Sequence, residues 1–164
     1  MFDLILLIVY VIKTLLKKEN IHQDYTTYSA GYQLSLTMDI QVYISLPMSG
    51  FEDTIRKRWD DAINKVKEIF YDCNVTIVGP TNIDDFDYNG AKVPHDRKWS
   101  YYISKDVEPL LDSTHIFLCK GWEKSKGCKL ESVIANEMNL KVMMESDYEQ
   151  YKELRHKFPE FLIK

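Results

Sequence analysis

The stretch KGWEKSKGCKLE, residues Lys120–Glu131, decides the fold because it lies between an apolar run and an amphipathic helix. The run before it, Ile116–Cys119, is short and apolar and predicts a buried parallel strand. After it, apolar residues recur at helical spacing and predict the inward face of a helix: Leu130, Val133, Ile134 and Met138. Glu131 is therefore expected in about the first turn of a helix that follows the carboxyl end of a strand, where open α/β sheets bind their ligands.

The surroundings of Glu131 favour a functional interpretation. On a helical wheel it lies at the edge of the apolar stripe, between small residues on the turn before, Gly127 and Cys128, and Ala135 on the turn after. Free amide groups at the helix start would hold its carboxylate ionised, as a nucleophile or a ligand-binding group requires. The alternative is an ordinary surface glutamate early in a helix.

Composition limits the classes of protein and partner. The chain has 164 residues, 45% of them hydrophobic, which supports one core. Its net charge of -4 and its scattered lysines argue against a nucleic-acid-coating surface. The three cysteines form no CxxC pair and the four histidines are far apart, so we predict reduced thiols, a cytoplasmic protein, no metal and no cofactor.

The first 37 residues form a separate segment. Residues Phe2–Leu16 are strongly apolar, but the uninterrupted run Leu4–Ile12 is about half as long as a membrane span. The features of a signal peptide are not convincing here. Met38 directly precedes the first credible strand, which leaves two interpretations open: a dispensable helical or disordered extension, or weak membrane association through residues 1–18.

Residues 38–164 predict a single α/β domain. Apolar runs alternate with helical patterns throughout, which is typical of a Rossmann-like or flavodoxin-like three-layer sandwich with a parallel sheet of four to five strands. A polar loop at 81–97 is long enough to cover a site. The predicted strands are Ile40–Ser45, Val75–Val78, His115–Cys119 and Lys141–Met144.

Two further ionisable residues stand out. In the helix predicted from Lys98 to Leu111, Asp106 falls on the same face as Ile103 and Leu110. A carboxylate on an apolar face indicates either a functional group or a cap for neighbouring backbone, and we favour function. His115 opens a buried strand and is interpreted as a packed core histidine and not as a base.

Three motifs together resemble a known family. VYISLPMSG at 42–50, WSYY at 99–102 with Asp106, and GWEKSKGCKLE at 121–131 resemble the nucleoside 2-deoxyribosyltransferase superfamily, especially its uncharacterised bacterial and phage branch. The resemblance covers about residues 39–144. It implies a Rossmann-like fold, cleavage of the N-glycosidic bond of a deoxynucleoside or deoxynucleotide, and a homodimer or larger homo-oligomer that completes its sites across the subunit interface.

The resemblance also implies roles for individual residues. Glu131 matches the nucleophile that attacks the anomeric carbon of the sugar, and Asp106 matches the aspartate that positions and protonates the leaving base. Tyr43 matches a tyrosine that orients the glutamate or the sugar. The remaining matched positions are expected to contact the substrate: Ser45, Met48, Ser49, Gly50, Trp122, Ser125 and Gly127.

Two positions bear on the substrate and on activity. The transferases that act on nucleosides usually have an acidic residue where this chain has Ser125, whereas the hydrolases of deoxynucleoside monophosphates have a serine that faces the 5'-phosphate. Ser125 therefore favours a nucleotide, and a carboxylate there would repel a phosphate. Leu46 stands where many relatives have glycine and is expected to crowd the first loop, which keeps a second interpretation open: a nucleotide-binding module without turnover.

Overall fold

The structure of the protein, a computed structural model, describes residues 39–48, 54–80 and 99–163, and for 99–102 it describes the backbone only. Several predictions therefore lie outside the described residues: the N-terminal segment 1–37, the polar loop 81–97, and the substrate contacts Ser49 and Gly50. Within the described residues, no helix has both the length and the apolar character needed to cross a membrane. Cys73, Cys119 and Cys128 are all free thiols, as predicted.

In the described residues, four parallel strands form one sheet in the order β2-β1-β3-β4. The strands are β1 Asp39–Ser45, β2 Asn74–Val78, β3 His115–Leu118 and β4 Lys141–Met144. From β1 the chain moves outward to β2 on one side, and it then crosses to β3 and β4 on the other side. The strand order therefore reverses between β1 and β3, and a ligand crevice is expected beyond their carboxyl ends.

Helices cover both faces of this sheet, so the predicted α/β Rossmann-like sandwich is confirmed. The helices are α1 Ile55–Ile69, α2 Trp99–Leu111, α3 Lys126–Glu137 and α4 Tyr148–Lys157. Helices α1 and α4 pack against each other on one face, and α2 and α3 pack against each other on the opposite face. Two single turns of 3-10 helix, Trp122–Lys124 and Glu145–Asp147, precede α3 and α4.

The alternation along β1 separates the hydrophobic core from a polar layer. Even-numbered residues enter the main core with α1: Ile40, Val42, Ile44 and Leu46. Odd-numbered residues point to the α2 and α3 side, because successive side chains in a strand point to opposite faces. Gln41 Nε2 donates to the carbonyl of Pro109 in α2 over 3.2 Å. Tyr43 and Ser45 are buried on that same polar side.

Helix α3 is rotated relative to the prediction. Val133 was expected to face inward, but its side chain is 44% exposed. The buried face instead carries mostly short or polar side chains: Cys128, Glu131, Ser132, Ile134 and Ala135. This face matches the polar side of β1, which offers hydroxyl groups and not apolar surface. Glu131 therefore lies in the middle of the buried face, not at its edge.

His115 is a packed core histidine, as the sequence predicted. It is 2% exposed, and its ring lies edge-on to Phe70. Its Nε2 lies 2.7 Å from the carbonyl oxygen of Leu162, which can only accept, so Nε2 carries the proton. Its Nδ1 lies 2.7 Å from Thr114 Oγ1. His115 thereby holds the segment that follows α4 against β3.

We expect His115 to make the protein less stable in acid. Burial lowers its pKa from 6.5 to about 4. The stability that a depressed pKa provides is present above pH 6.5 and is lost as the pH falls toward 4. Relative to the non-titrating variant His115→Gln, wild type should lose about 2 kcal/mol of unfolding free energy between pH 7 and pH 4.5. Denaturant titrations at both pH values measure this difference, and equal losses in the two proteins would contradict it.

Candidate active site

Glu131 lies inside α3, one turn further from its start than the sequence suggested. The helix begins at Lys126, so Glu131 is its sixth residue. At that depth its own amide takes part in the helix, and the effect of the helix dipole has largely faded. The side chain is only 5% exposed. Burial, and not the helix terminus, therefore dominates the environment of this carboxyl group.

Both oxygens of the Glu131 carboxyl accept a hydrogen bond from β1. Tyr43 Oη donates to Oε1 over 3.0 Å, and Ser45 Oγ donates to Oε2 over 2.5 Å. The two hydroxyl groups can reach one carboxylate because they are two residues apart on the same face of a strand. The predicted role of Tyr43 in orienting Glu131 matches this contact. Ser45 was expected to contact the substrate, and the structure makes it a second donor to Glu131.

The protonation state of Glu131 differs from the sequence-based expectation. Burial raises its pKa from 4.5, the hydrogen bonds from Ser45 and Tyr43 oppose this effect, and the charge of Asp106 adds to it. The resulting pKa is about 7. The prediction of a fully ionised carboxylate is therefore wrong, because desolvation outweighs the donors. Near neutral pH the group is divided between its protonated and ionised forms.

Asp106 lies on the buried face of α2, as its position on the helical wheel predicted, and is 5% exposed. Its negative charge raises the pKa of Glu131 and contributes to raising that of Tyr43. The structure thus brings Asp106 within electrostatic reach of the other two predicted catalytic residues. Burial, followed by the charge of Glu131, raises the pKa of Tyr43 well above 10, so its phenol remains a donor.

Cys128 lies next to Glu131, as its position on the preceding turn predicted, but no role in the site was predicted for its thiol. Burial and the charge of Glu131 raise the pKa of its thiol to about 11, while hydrogen bonds with Ser125 and Ser45 oppose this rise. The thiol therefore stays protonated near neutral pH, in contact with hydroxyl groups on both sides. Its position three residues before Glu131 on a helix, which places the two on one face, was the available signal.

The start of α3 is capped by Ser125. Its Oγ accepts a hydrogen bond from the amide of Cys128 over 3.3 Å, which is an ordinary N-cap interaction. The space next to Gly127 is open, because a Cβ added there would meet only Ser125 Oγ, at 3.8 Å. Ser125 and Gly127 thus lie together on the turn that precedes Glu131, beside unfilled space.

The other predicted substrate contacts lie on neighbouring segments of the chain. Trp122 is half-buried in the 3-10 turn before α3, where its amide donates to the carbonyl of Cys119. Met48 is half-buried and packs against the main core.

Leu46 is 2% exposed and belongs to that core, so its side chain points away from Tyr43 and Ser45. The Leu46 side chain therefore does not enter the face of β1 that carries Glu131's two donors, and the effect of Leu46 on the rest of the first loop stays a prediction, since Ser49 and Gly50 lie outside the described residues.

Metal ligation finds no support in the described part of the chain. Among residues 39–48, 54–80 and 99–163, no three His, Cys, Asp or Glu side chains are grouped as a metal ion would need. The chemistry available at this site is that of two buried carboxyl groups, two hydroxyl groups and a protonated thiol.

Comparison with known proteins gives a family match. The family model described as Domain of unknown function (DUF4406) matches residues 40–144, which span the sheet from β1 to β4 and all the site residues named above. No curated protein and no solved structure matches the chain significantly.

Proposed function

The chain belongs to the DUF4406 family, and we propose that it cleaves the N-glycosidic bond of a deoxynucleotide or deoxynucleoside with Glu131 as the nucleophile. One observation carries the proposal. A buried carboxyl group is held at both oxygens by hydroxyl groups of β1, with the charge of Asp106 nearby. The resemblance of the three sequence motifs to the nucleoside 2-deoxyribosyltransferase superfamily supports the same chemistry.

The proposed reaction is a double displacement of the retaining-glycosidase type. Ionised Glu131 forms an ester bond to the anomeric carbon while the bond from that carbon to the base breaks and its electron pair moves to the base nitrogen. Asp106 in its protonated form donates a proton to the departing base. Water, or a second base, then attacks the anomeric carbon and gives up a proton to Asp106, while the ester bond breaks and its electron pair returns to Glu131.

The raised pKa of Glu131 fits two carboxyl groups with separate roles. Two neighbouring acids that oppose each other's ionisation favour a state in which one is protonated and the other is ionised. Such a state supplies a nucleophile and a proton donor at the same pH. The hydrogen bonds from Tyr43 and Ser45 favour ionisation of Glu131, and so they support its assignment as the nucleophile.

The proposed substrate is a deoxynucleoside 5'-monophosphate. Ser125 is the N-cap of α3, and its hydroxyl hydrogen can still donate to a ligand while its oxygen accepts from Cys128. The amides of Lys126 and Gly127 follow in the first turn, where backbone donors have no partner within the helix. A hydroxyl and free amides favour a phosphate group at this end of the helix.

The direct test is a survey of substrates. The full chain is incubated with each of the four common deoxynucleoside monophosphates and with the corresponding deoxynucleosides, and the free base is measured by chromatography. We expect release from at least one monophosphate and slower release from its nucleoside. A second free base in the mixture distinguishes transfer from hydrolysis. Absence of release from all eight compounds would contradict the proposal.

Gly127→Ala tests whether substrate occupies the space beside the start of α3. The added methyl group fits the unliganded protein, so the unfolding free energy should change little. It would reach into the space assigned to substrate, and we expect KM to rise about tenfold or more, the effect of losing more than 1 kcal/mol of binding. Lys129→Ala, at an exposed position of the same helix, is the matched control. An unchanged KM would place the substrate elsewhere.

A nucleotide-binding module without turnover is the second candidate. The observation that favours it is the pKa of about 7 at Glu131, which leaves part of the protein without an ionised nucleophile at neutral pH. Such a module should bind a deoxynucleotide saturably and release no base. Its affinity should be similar in wild type and in Glu131→Gln, as measured by calorimetry.

A further inference from the structure

Arg58 connects two loops at the carboxyl edge of the sheet. It projects from α1 and is half-buried. Its Nη1 donates to the carbonyl of Pro47 over 3.0 Å, and its Nη2 donates to the carbonyl of Lys120 over 2.7 Å. Pro47 follows β1 and Lys120 follows β3, so one guanidinium group spans the point where the strand order reverses.

The backbone of Lys120 is held from both sides by charged side chains. Its carbonyl accepts from Arg58, and its amide donates to Glu145 Oε2 over 2.7 Å. Lys65 of α1 donates to the other oxygen of Glu145 over 2.5 Å. Burial alone would raise the pKa of Glu145, but these bonds and the nearby positive charges lower it overall. Glu145 therefore stays ionised and keeps its bond to the loop.

This arrangement fixes the chain immediately before the candidate site. Gly121 follows Lys120 with φ 90°, a left-handed conformation that favours glycine. The single 3-10 turn Trp122–Lys124 and the N-cap Ser125 come next. If the backbone of Lys120 moved, these few residues and the start of α3 would move as well. The position assigned to the substrate phosphate lies at that helix start.

We propose that Arg58 is a positioning residue of the candidate site, which it serves by holding the loops after β1 and β3 in the relative geometry that binds substrate. The inference rests on the proposed function for the identity of the ligand, but the contact between the loops stands independently. A guanidinium group suits this role because its planar set of donors can bond two carbonyl groups at once. A lysine at this position has a single ammonium group and lacks that geometry.

The kinetic test uses Arg58→Met, which keeps much of the aliphatic side chain and removes both donors. We expect KM for the deoxynucleoside monophosphate to rise about tenfold while kcat changes less than about threefold, because Glu131 and its two donors lie on other elements. Arg58→Lys should give an intermediate KM. Lys57→Met removes one positive charge from an exposed position of the same helix and should leave KM unchanged.

Hydrogen exchange tests the contact without relying on activity. The amides of Trp122, Lys124 and Ser125 are bonded within the loop and its turn. In Arg58→Met they should exchange about tenfold faster than in wild type and in Lys57→Met, because the loop has lost an anchor. Unchanged exchange would overturn the positioning role even in an active enzyme, and so would a fall in kcat at constant KM. If wild type releases no base, the proposed function fails, and hydrogen exchange still decides the role of Arg58.

Discussion

Glu131→Gln is expected to reduce base release by on the order of 10³-fold or more, because an amide cannot form the ester to the sugar that the proposed mechanism needs. The side chain keeps its shape and can still bond to Tyr43 and Ser45. Release of free base from a deoxynucleoside monophosphate, followed by chromatography, measures the loss. Glu137→Gln, at an exposed position of the same helix, is the matched control and should retain full activity.

Glu131→Gln is also expected to stabilise the folded protein at high pH. This gain in stability distinguishes loss of the nucleophile from loss of the fold. The folded-state pKa of Glu131 is raised, so its contribution to stability is greatest below pH 4.5 and is lost as the pH rises through 7. Above pH 8 the ionised carboxylate in wild type should cost about 3 kcal/mol of unfolding free energy, which the neutral glutamine avoids. We therefore expect Glu131→Gln to be inactive and more stable in denaturant titrations at that pH.

A covalent intermediate would identify Glu131 directly. Mass spectrometry of wild type after rapid mixing with the substrate should find the added mass of the sugar phosphate on the peptide that contains Glu131, and no such mass in Glu131→Gln. If Glu131→Gln releases base at the wild-type rate, Glu131 is not the nucleophile. If the adduct is found on another residue, the assignment fails even though the reaction class stands.

The fold was predictable because its signals are local. The strand pattern at Ile40–Ser45, the apolar run at Ile116–Cys119 and the helical spacing after Gly127 each reflect burial of one face of an element. The observed sheet has the four strands predicted, with boundaries shifted by one residue at some ends. Asp106 was recognised in the same way, since a carboxylate among apolar residues is visible on a helical wheel.

The details of the site depend on contacts between elements that are far apart in the sequence, so they could not be predicted in the same way. Which face of α3 packs inward depends on the hydroxyl groups of β1, so helical periodicity placed Val133 inside and Glu131 at an edge. The pKa of Glu131 depends on how completely three elements cover it. Arg58 bonds to backbone carbonyl groups, which every residue has, so nothing in the side-chain pattern identifies its partners.

The second large effect is expected from the two donors to Glu131. Ser45→Ala and Tyr43→Phe each remove one hydrogen bond that favours the ionised carboxylate, so each should raise the pKa of Glu131 further. Because the proposed reaction needs one protonated and one ionised carboxyl group, kcat/KM of wild type is expected to fall as the pH rises through about 7, where the Glu131–Asp106 pair loses its last proton. In each variant that fall should move to higher pH by about one pH unit, and kcat/KM at pH 7 should be about tenfold lower, because Glu131 is ionised in a smaller share of the singly protonated pair.

The direction of this change distinguishes two roles for the hydroxyl groups. If Tyr43 and Ser45 served only to pack against α3, their loss would lower kcat/KM equally at every pH and leave the profile in place. Tyr151→Phe, which alters a tyrosine of α4 bonded to the Met144 amide on the opposite face of the sheet, is the matched control and should keep the wild-type profile. A shift to lower pH in either variant would mean that the lost hydroxyl group does not favour ionised Glu131, and the assignment of Glu131 as the nucleophile would lose that support.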